Sequence, residues 1–98
     1  MHTEWLWERA HLMHAQLKAR SENAPDLLSL LMFSLQECMG NAALNMLKLR
    51  KMRPSQKAVA TRDLQSALAV IAMTALVALV ECSEDAPEVF RSEVGPRN

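Results

Sequence analysis

The feature that most constrains this chain is an apolar run, ALAVIAMTALVALV, which covers Ala67 to Val80 and has Thr74 as its only polar side chain. A helix formed by this run is apolar on every side, and such a helix is buried in a core or in a membrane. A membrane span needs about 20 apolar residues, whereas this run has fourteen and lies between Asp63 and Glu81. We therefore predict a buried core helix and no membrane span.

The length of the chain, 98 residues, limits how well that helix can be covered. Small domains bury a smaller fraction of their surface than large ones, so we expect self-association into a homo-oligomer, with a dimer as the simplest form. The length fits one domain, residues 1–98, in which residues 94–98 form a flexible tail.

Composition indicates the fold class and the compartment. Half of the residues are hydrophobic, only 4% are aromatic, and there are two glycines and no tyrosine, which favours packed helices over a sheet. Cys38 and Cys82 both lie in apolar helical contexts, so we interpret them as reduced core thiols. The N-terminus has no basic region leading an apolar run and so does not resemble a signal peptide. We expect a cytoplasmic all-α protein.

Helix boundaries follow from capping residues and prolines. Pro25, within SENAPD, ends the first helix and suits the start of the second, and Thr61 is the candidate N-cap of the third. The prediction is three main helices and a short C-terminal one: about Thr3–Arg20, Pro25 or Asp26 to Arg50, Thr61 to near Cys82, and, after a Ser83 cap, Glu84–Val94.

One stripe of polar residues on the second helix raises the question of chemistry. Its members recur at spacings of three and four and therefore share a face, with Gly40 in the helix interior and Cys38 at the border. The stripe is either a solvated face or the polar wall of a pocket beside the third helix, and taken alone it favours the solvated face. Its members are Ser34, Glu37, Asn41, Asn45 and Lys48.

Four segments resemble a known family in their order and spacing. They are ECMGN at 37–41, TRD at 61–63, TALVAL at 74–79 and SEDAPEVF at 83–90. With no gap from Pro25 to Phe90, they match the EExGE signature, the start of the ExxD helix, the apolar stretch and the acidic-proline turn of the MazG-like family. That family comprises all-α nucleoside triphosphate pyrophosphohydrolases, so the resemblance implies a MazG-like helical domain.

The metal-binding residues of the family are missing from this chain. The resemblance implies four carboxylates that coordinate magnesium, but the matching positions hold Cys38, Asn41, Ala67 and Val70. Glu37 matches the acid just before the ligand pair. Magnesium requires oxygen ligands, commonly carboxylates, and a thiol is too soft for it. We therefore expect no bound metal or other cofactor and no pyrophosphohydrolysis by the family mechanism.

The residues that replace the acids predict a site of different character. Ala67, Val70, Ile71 and Thr74 would present a mainly apolar face of the third helix toward the polar stripe. Either side chains fill the former site, which leaves a scaffold, or a mainly apolar pocket persists and binds a small molecule. The candidate pocket residues are Ser34, Cys38, Asn45, Ala67, Val70, Ile71 and Thr74.

Catalysis without a metal is one variant of the pocket hypothesis. Glu37 is the candidate acid–base residue, because a carboxyl among apolar neighbours can have a raised pKa, and Asn41 would assist a cyclisation or isomerisation. The alternative for Glu37 is a solvated surface side chain. The competing functions are a residual nucleoside triphosphate pyrophosphohydrolase and a structural or partner-binding helical module.

A basic segment, KLRKMRPSQK at 48–57, holds five cations and no acid. It is either a solvated helix end, favoured by the helix dipole, or a contact for phosphate or an acidic partner through Lys48, Arg50, Lys51 and Arg53. No aromatic residue interleaves with these cations, which argues against nucleic acid, as does the net charge of zero.

Overall fold

The computed structural model of the protein describes residues 3–20 and 26–96, and these form four helices and no strand. The helices are α1 (Glu4–Arg20), α2 (Leu27–Leu49), α3 (Pro54–Glu81) and α4 (Ala86–Val94). The prediction of an all-α chain with three main helices and a short fourth one is therefore confirmed. Residues 21–25 of the SENAPD break and the end of the tail at 97–98 lie outside the described residues.

The prediction for the start of the third helix was wrong by seven residues. Helix α3 begins at Pro54, after Arg53 in an extended conformation, and not at Thr61. Proline suits the first turn of a helix because its missing N–H would have no partner there. The connection between α2 and α3 is therefore only residues 50–53, which makes the two helices an antiparallel hairpin.

The cap of the fourth helix also differs from the prediction. Helix α4 begins at Ala86, and its N-cap is Asp85, whose side chain accepts a hydrogen bond from the backbone N–H of Glu88 at 3.3 Å. Ser83 lies too far upstream to reach the first turn. At the start of α2, Asp26 is the N-cap and accepts a hydrogen bond from the N–H of Leu28 at 3.1 Å, with a φ of 33°.

The α2–α3 hairpin packs along a heptad seam. Buried or half-buried residues recur in both helices at alternating spacings of three and four, the pattern of a two-helix coiled coil. Many seam residues are small, so little apolar volume lies between the two helices. The seam consists of Leu28, Leu31, Leu35, Cys38 and Ala42 on α2 and of Ala60, Leu64, Ala67, Ile71, Thr74 and Ala78 on α3.

Helix α1 completes the core at the C-terminal half of α3. Ala10 is fully buried there, and Val77 is the largest fully buried side chain of the described residues. Trp7 of α1 meets Phe90 of α4 edge to face, with ring centroids 5.6 Å apart. The well-packed core therefore lies at one end of the hairpin, away from the turn at 50–53.

An ion cluster fastens α1 to the end of α3. His14 Nε2 donates to Glu81 Oε1 at 2.7 Å, and Lys18 Nζ donates to the same oxygen at 2.9 Å. The pKa of Glu81 lies below its ordinary value. The main cause is the hydrogen bond from His14, and the second is the hydrogen bond from Lys18. The glutamate after the apolar run is thus a structural partner of α1.

The molecule is a flat layer rather than a sphere. Its extents are 47 × 43 × 19 Å and its radius of gyration is 16.1 Å, against about 13 Å for a compact domain of this size. Its accessible surface is 7780 Å², and a compact 11.0 kDa monomer exposes about 5,600 Å². A chain of this shape leaves both faces of its central helix, α3, open outside the buried stretch Leu76–Ala78.

The apolar residues on these open faces are numerous. Both α2 and α3 are long and apolar enough to cross a membrane by length and composition, and only 17% of each apolar window is buried within the chain. This is weak evidence, because core helices of other proteins pass the same test. The absence of a membrane span stays a prediction.

Cys82, expected in the core, is instead exposed, because it caps α3 beyond its buried stretch.

Candidate functional site

The apolar members of the predicted pocket lie in the hairpin seam. Cys38, Ala67, Ile71 and Thr74 are all half-buried where α2 meets α3. The hydroxyl of Thr74 donates to the backbone carbonyl of Val70 at 2.8 Å, so it is already paired within its own helix. These four residues therefore contribute first to helix packing, and the space among them is partly filled.

The polar members lie outside the seam, on the surface of the single chain. Ser34, Glu37, Asn41 and Asn45 are exposed, and so is Val70, with 57% of its surface accessible. The polar stripe of the sequence is thus on a solvent-facing side of α2 in one copy of the chain. Any enclosure of Glu37 has to come from a ligand or from another molecule.

Helix geometry nevertheless brings three members of the polar stripe and Val70 to one face of the hairpin. Each residue advances about 100° around its helix. In two antiparallel right-handed helices, the residue just before each seam position therefore points to the same side of the layer. Ser34, Glu37 and Asn41 precede seam residues of α2, and Val70 precedes Ile71. We call this side the polar face, and it is open rather than a closed cavity.

The opposite side of the hairpin carries a stripe that the sequence reading missed. Met32, Met39 and Met46 follow one another at intervals of seven, and their exposed fractions are 54%, 58% and 41%. On α3 the same side presents Leu68, 53% exposed, with the small residues Ala72 and Ala75. We call this side the methionine face. The signal was present in the sequence as a second heptad repeat.

Gly40 lies on α2 with open space around it. A Cβ added at this position would meet no atom within 4 Å other than those of its own helix. No contact within the chain therefore requires glycine here.

The basic segment forms the turn of the hairpin. Lys48, Arg50, Lys51 and Arg53 are all exposed at the C-terminus of α2 and in the connection. None of them makes an ion pair with another residue in the described parts of the chain. The four cations form a free positive surface, consistent with either reading of the sequence.

A groove between α1 and α4 was not anticipated from the sequence. It has a volume of about 970 Å³ and is lined by Leu6, Trp7 and Phe90 together with a rim of carboxylates. One of these, Glu88, pairs with Arg91. The groove has no sequence signature because α1 and α4 lie some seventy residues apart in the chain. Its acidic members are Glu4, Glu8, Asp85 and Glu88.

Within residues 3–20 and 26–96, no group of three or more histidine, cysteine, aspartate or glutamate side chains is arranged to hold a metal ion. His11 directs its Nδ1 to the backbone oxygen of Trp7 at 2.7 Å, and His14 is bound to Glu81. The two histidines of α1 therefore have separate partners.

Comparisons of this chain with family models, with curated proteins and with solved structures find no match. The similarity to the MazG-like family accordingly stays an interpretation of the four sequence segments.

Proposed function

We propose that this chain is a divergent, metal-independent MazG-like protein that binds a largely apolar small molecule on the polar face of its α2–α3 hairpin. The observation that carries the proposal is the juxtaposition on this face of exposed Glu37 and Asn41 with exposed Val70, beside a half-buried seam of small side chains. A few polar groups on a mainly apolar surface are the usual character of a small-molecule site.

The site is open in one copy of the chain, so a bound apolar molecule itself has to cover it, and we propose that the chain forms a homodimer through another surface. The surface of the chain exceeds that of a compact monomer by roughly 2,000 Å², the order of area that obligate dimers bury. In this cytoplasmic homodimer the bound apolar molecule covers Glu37 on the polar face. Glu37 would then act as the acid–base group of a cyclisation or isomerisation, with Asn41 and Asn45 as positioning amides.

We propose that the chain has lost the ability to hydrolyse nucleotides. The positions that match the family's ligands hold a thiol, an amide and two aliphatic side chains: Cys38, Asn41, Ala67 and Val70. Because Ala67 and Val70 have no donor atom, α3 could offer magnesium no ligand at these positions.

A ligand screen with a matched pair of variants tests the proposal. Apolar compounds and nucleotides are added to the protein and the unfolding midpoint is measured, since a ligand that binds only the folded state stabilises it. Val70→Glu should abolish the shift given by an apolar compound. Leu12→Glu should retain it, because Leu12 is also a largely exposed aliphatic residue, 48%, but lies on α1, outside the α2–α3 hairpin.

Three outcomes would overturn the proposal. A shift that survives Val70→Glu places the ligand elsewhere, and no shift with any apolar compound favours a structural or partner-binding module. Release of pyrophosphate from nucleoside triphosphates with Mg²⁺ or Mn²⁺, lost in Glu37→Gln, would establish the hydrolase instead.

A further inference from the structure

The charges of this chain are segregated along the length of the hairpin. The turn end carries Lys48, Arg50, Lys51, Arg53 and Lys57, with no acid between positions 48 and 57. The other end carries the carboxylates that line the α1–α4 groove, Glu4, Glu8, Asp85 and Glu88, with Arg91 as the cation among them. Asp85 lies just beyond the C-terminus of α3, whose 28 residues put it about 40 Å from the turn. A net charge of zero therefore conceals two ends of opposite sign.

Between the two ends lies the methionine face, an exposed surface whose outermost methionines lie 14 residues apart on α2, or about 21 Å. Its methionines are spaced over two full heptads of α2, and Leu68 extends the surface onto α3. The same side also carries the exposed polar residues Gln36 and Gln65, so the face is a row of apolar side chains with polar ones between them. Exposed apolar groups with polar neighbours of this kind mark an interaction site. A heptad spacing fits a partner that also presents helices, and the small side chains of Ala72 and Ala75 allow close approach.

We propose that the methionine face binds a second copy of this chain in antiparallel orientation, so that the basic turn of each copy meets the acidic α1–α4 end of the other. This inference rests on the homodimer proposed above and specifies its interface and direction. An antiparallel two-fold arrangement closes on itself and makes both charge contacts twice. A parallel arrangement would instead place the five cations of one turn against those of the other, which is repulsive.

Charge reversal with complementation tests the orientation. The turn variant is Lys51→Glu with Arg53→Glu, and the end variant is Glu8→Lys with Glu84→Lys; all four side chains are exposed, and Asp85 is left intact because it caps α4. Each variant alone should weaken dimerisation roughly tenfold or more, as expected for several surface charge pairs. An equimolar mixture should form a heterodimer with near wild-type affinity, because both of its charge contacts become attractive. Sedimentation equilibrium measures all three affinities.

A distance measurement gives an independent check. Spin labels are placed on Ser55→Cys, near the turn, in a chain with Cys38→Ala and Cys82→Ala. The antiparallel dimer predicts a label-to-label distance of about 40 Å, the length of α3, and a parallel dimer would give less than about 20 Å.

The results separate this inference from the proposals on which it rests. A dimer that is indifferent to both charge reversals, or that gives the short label distance, overturns the orientation but leaves the homodimer standing. A monomer in aqueous buffer overturns both, and if that monomer also binds phosphatidylcholine vesicles, the methionine face is a membrane-binding surface. The effect of Val70→Glu on ligand binding is measured in the separate ligand screen. A failure of the proposed ligand site is therefore distinguished from a failure of the proposed dimer orientation.

Discussion

A substitution at Val77 tests the core at the scale of one residue, because Val77 is the largest fully buried side chain of the described residues. Val77→Ala removes two methyl groups and should lower the free energy of unfolding by about 2 kcal/mol. Chemical denaturation measures the change. Val70→Ala is the matched control on the same helix, where 57% exposure predicts a loss below about 0.5 kcal/mol. Equal losses at the two positions would show that Val70 is also buried in solution.

Glu81 gives the chain a predicted pH dependence. Its pKa is lowered by the hydrogen bonds from His14 and Lys18, so the unfolded carboxyl, with a pKa of about 4.3, binds a proton more readily than the folded one. The stabilisation is therefore fully present above that pH and is lost as the pH falls through the lower folded pKa. Glu81→Gln should reduce the slope of stability against pH between about 5 and 3, measured by denaturation at each pH. Glu84→Gln, at an exposed position, serves as the control, and an unchanged slope in Glu81→Gln contradicts the assignment.

Helix α2 should gain stability when its interior glycine is replaced. Gly40→Ala adds a Cβ that meets nothing within 4 Å, and alanine is favoured over glycine in a helix by about 1 kcal/mol. The expected result is a higher free energy of unfolding, by up to about 1 kcal/mol. A loss of stability, or of dimerisation, would reveal that another chain approaches Gly40 closely in the assembled protein.

Helix α4 depends on its cap. Asp85→Ala removes the side-chain acceptor for the N–H of Glu88, which should cost about 1 kcal/mol. Asp85→Asn, another good N-cap, should recover most of that loss in the same thermal unfolding experiment. If Asp85→Asn is as damaging as Asp85→Ala, the charge at this position matters more than the cap.

The elements show what the sequence could and could not predict. Pro25 and Asp26 indicated the start of α2 to within two residues, because capping chemistry is local. The start of α3 was misjudged, because Thr61 is an acceptable N-cap and Pro54 an acceptable first-turn residue, and the sequence alone does not rank them. The sequence predicted that Val70 faces the polar stripe, but it did not predict that Val70 is exposed in the single chain, because exposure depends on how the other helices pack. The methionine repeat was readable but was overlooked beside the polar one.

At the scale of the whole molecule, a homodimer predicts that stability depends on protein concentration. Association stabilises the folded state by mass action. The temperature midpoint of unfolding should therefore rise when the chain concentration is raised from micromolar to hundreds of micromolar. Differential scanning calorimetry over that range measures the effect. Met39→Lys, in the middle of the methionine face, should abolish the concentration dependence. Met39→Leu should preserve it, because leucine keeps the apolar volume. A midpoint independent of concentration in the wild type contradicts the dimer.

The opposed charges at the two ends of the hairpin also give each folded chain a large electric dipole. At the isoelectric point, near pH 6.8, no net repulsion keeps such dipoles apart, and in dilute salt the turn of a chain that has not yet dimerised can reach the acidic end of another such chain. Head-to-tail contacts of this kind do not close and lead to open chains. Added salt screens them over distances of about 10 Å at 0.1 M. The protein should therefore salt in: its solubility at neutral pH rises with the first hundred millimolar of sodium chloride.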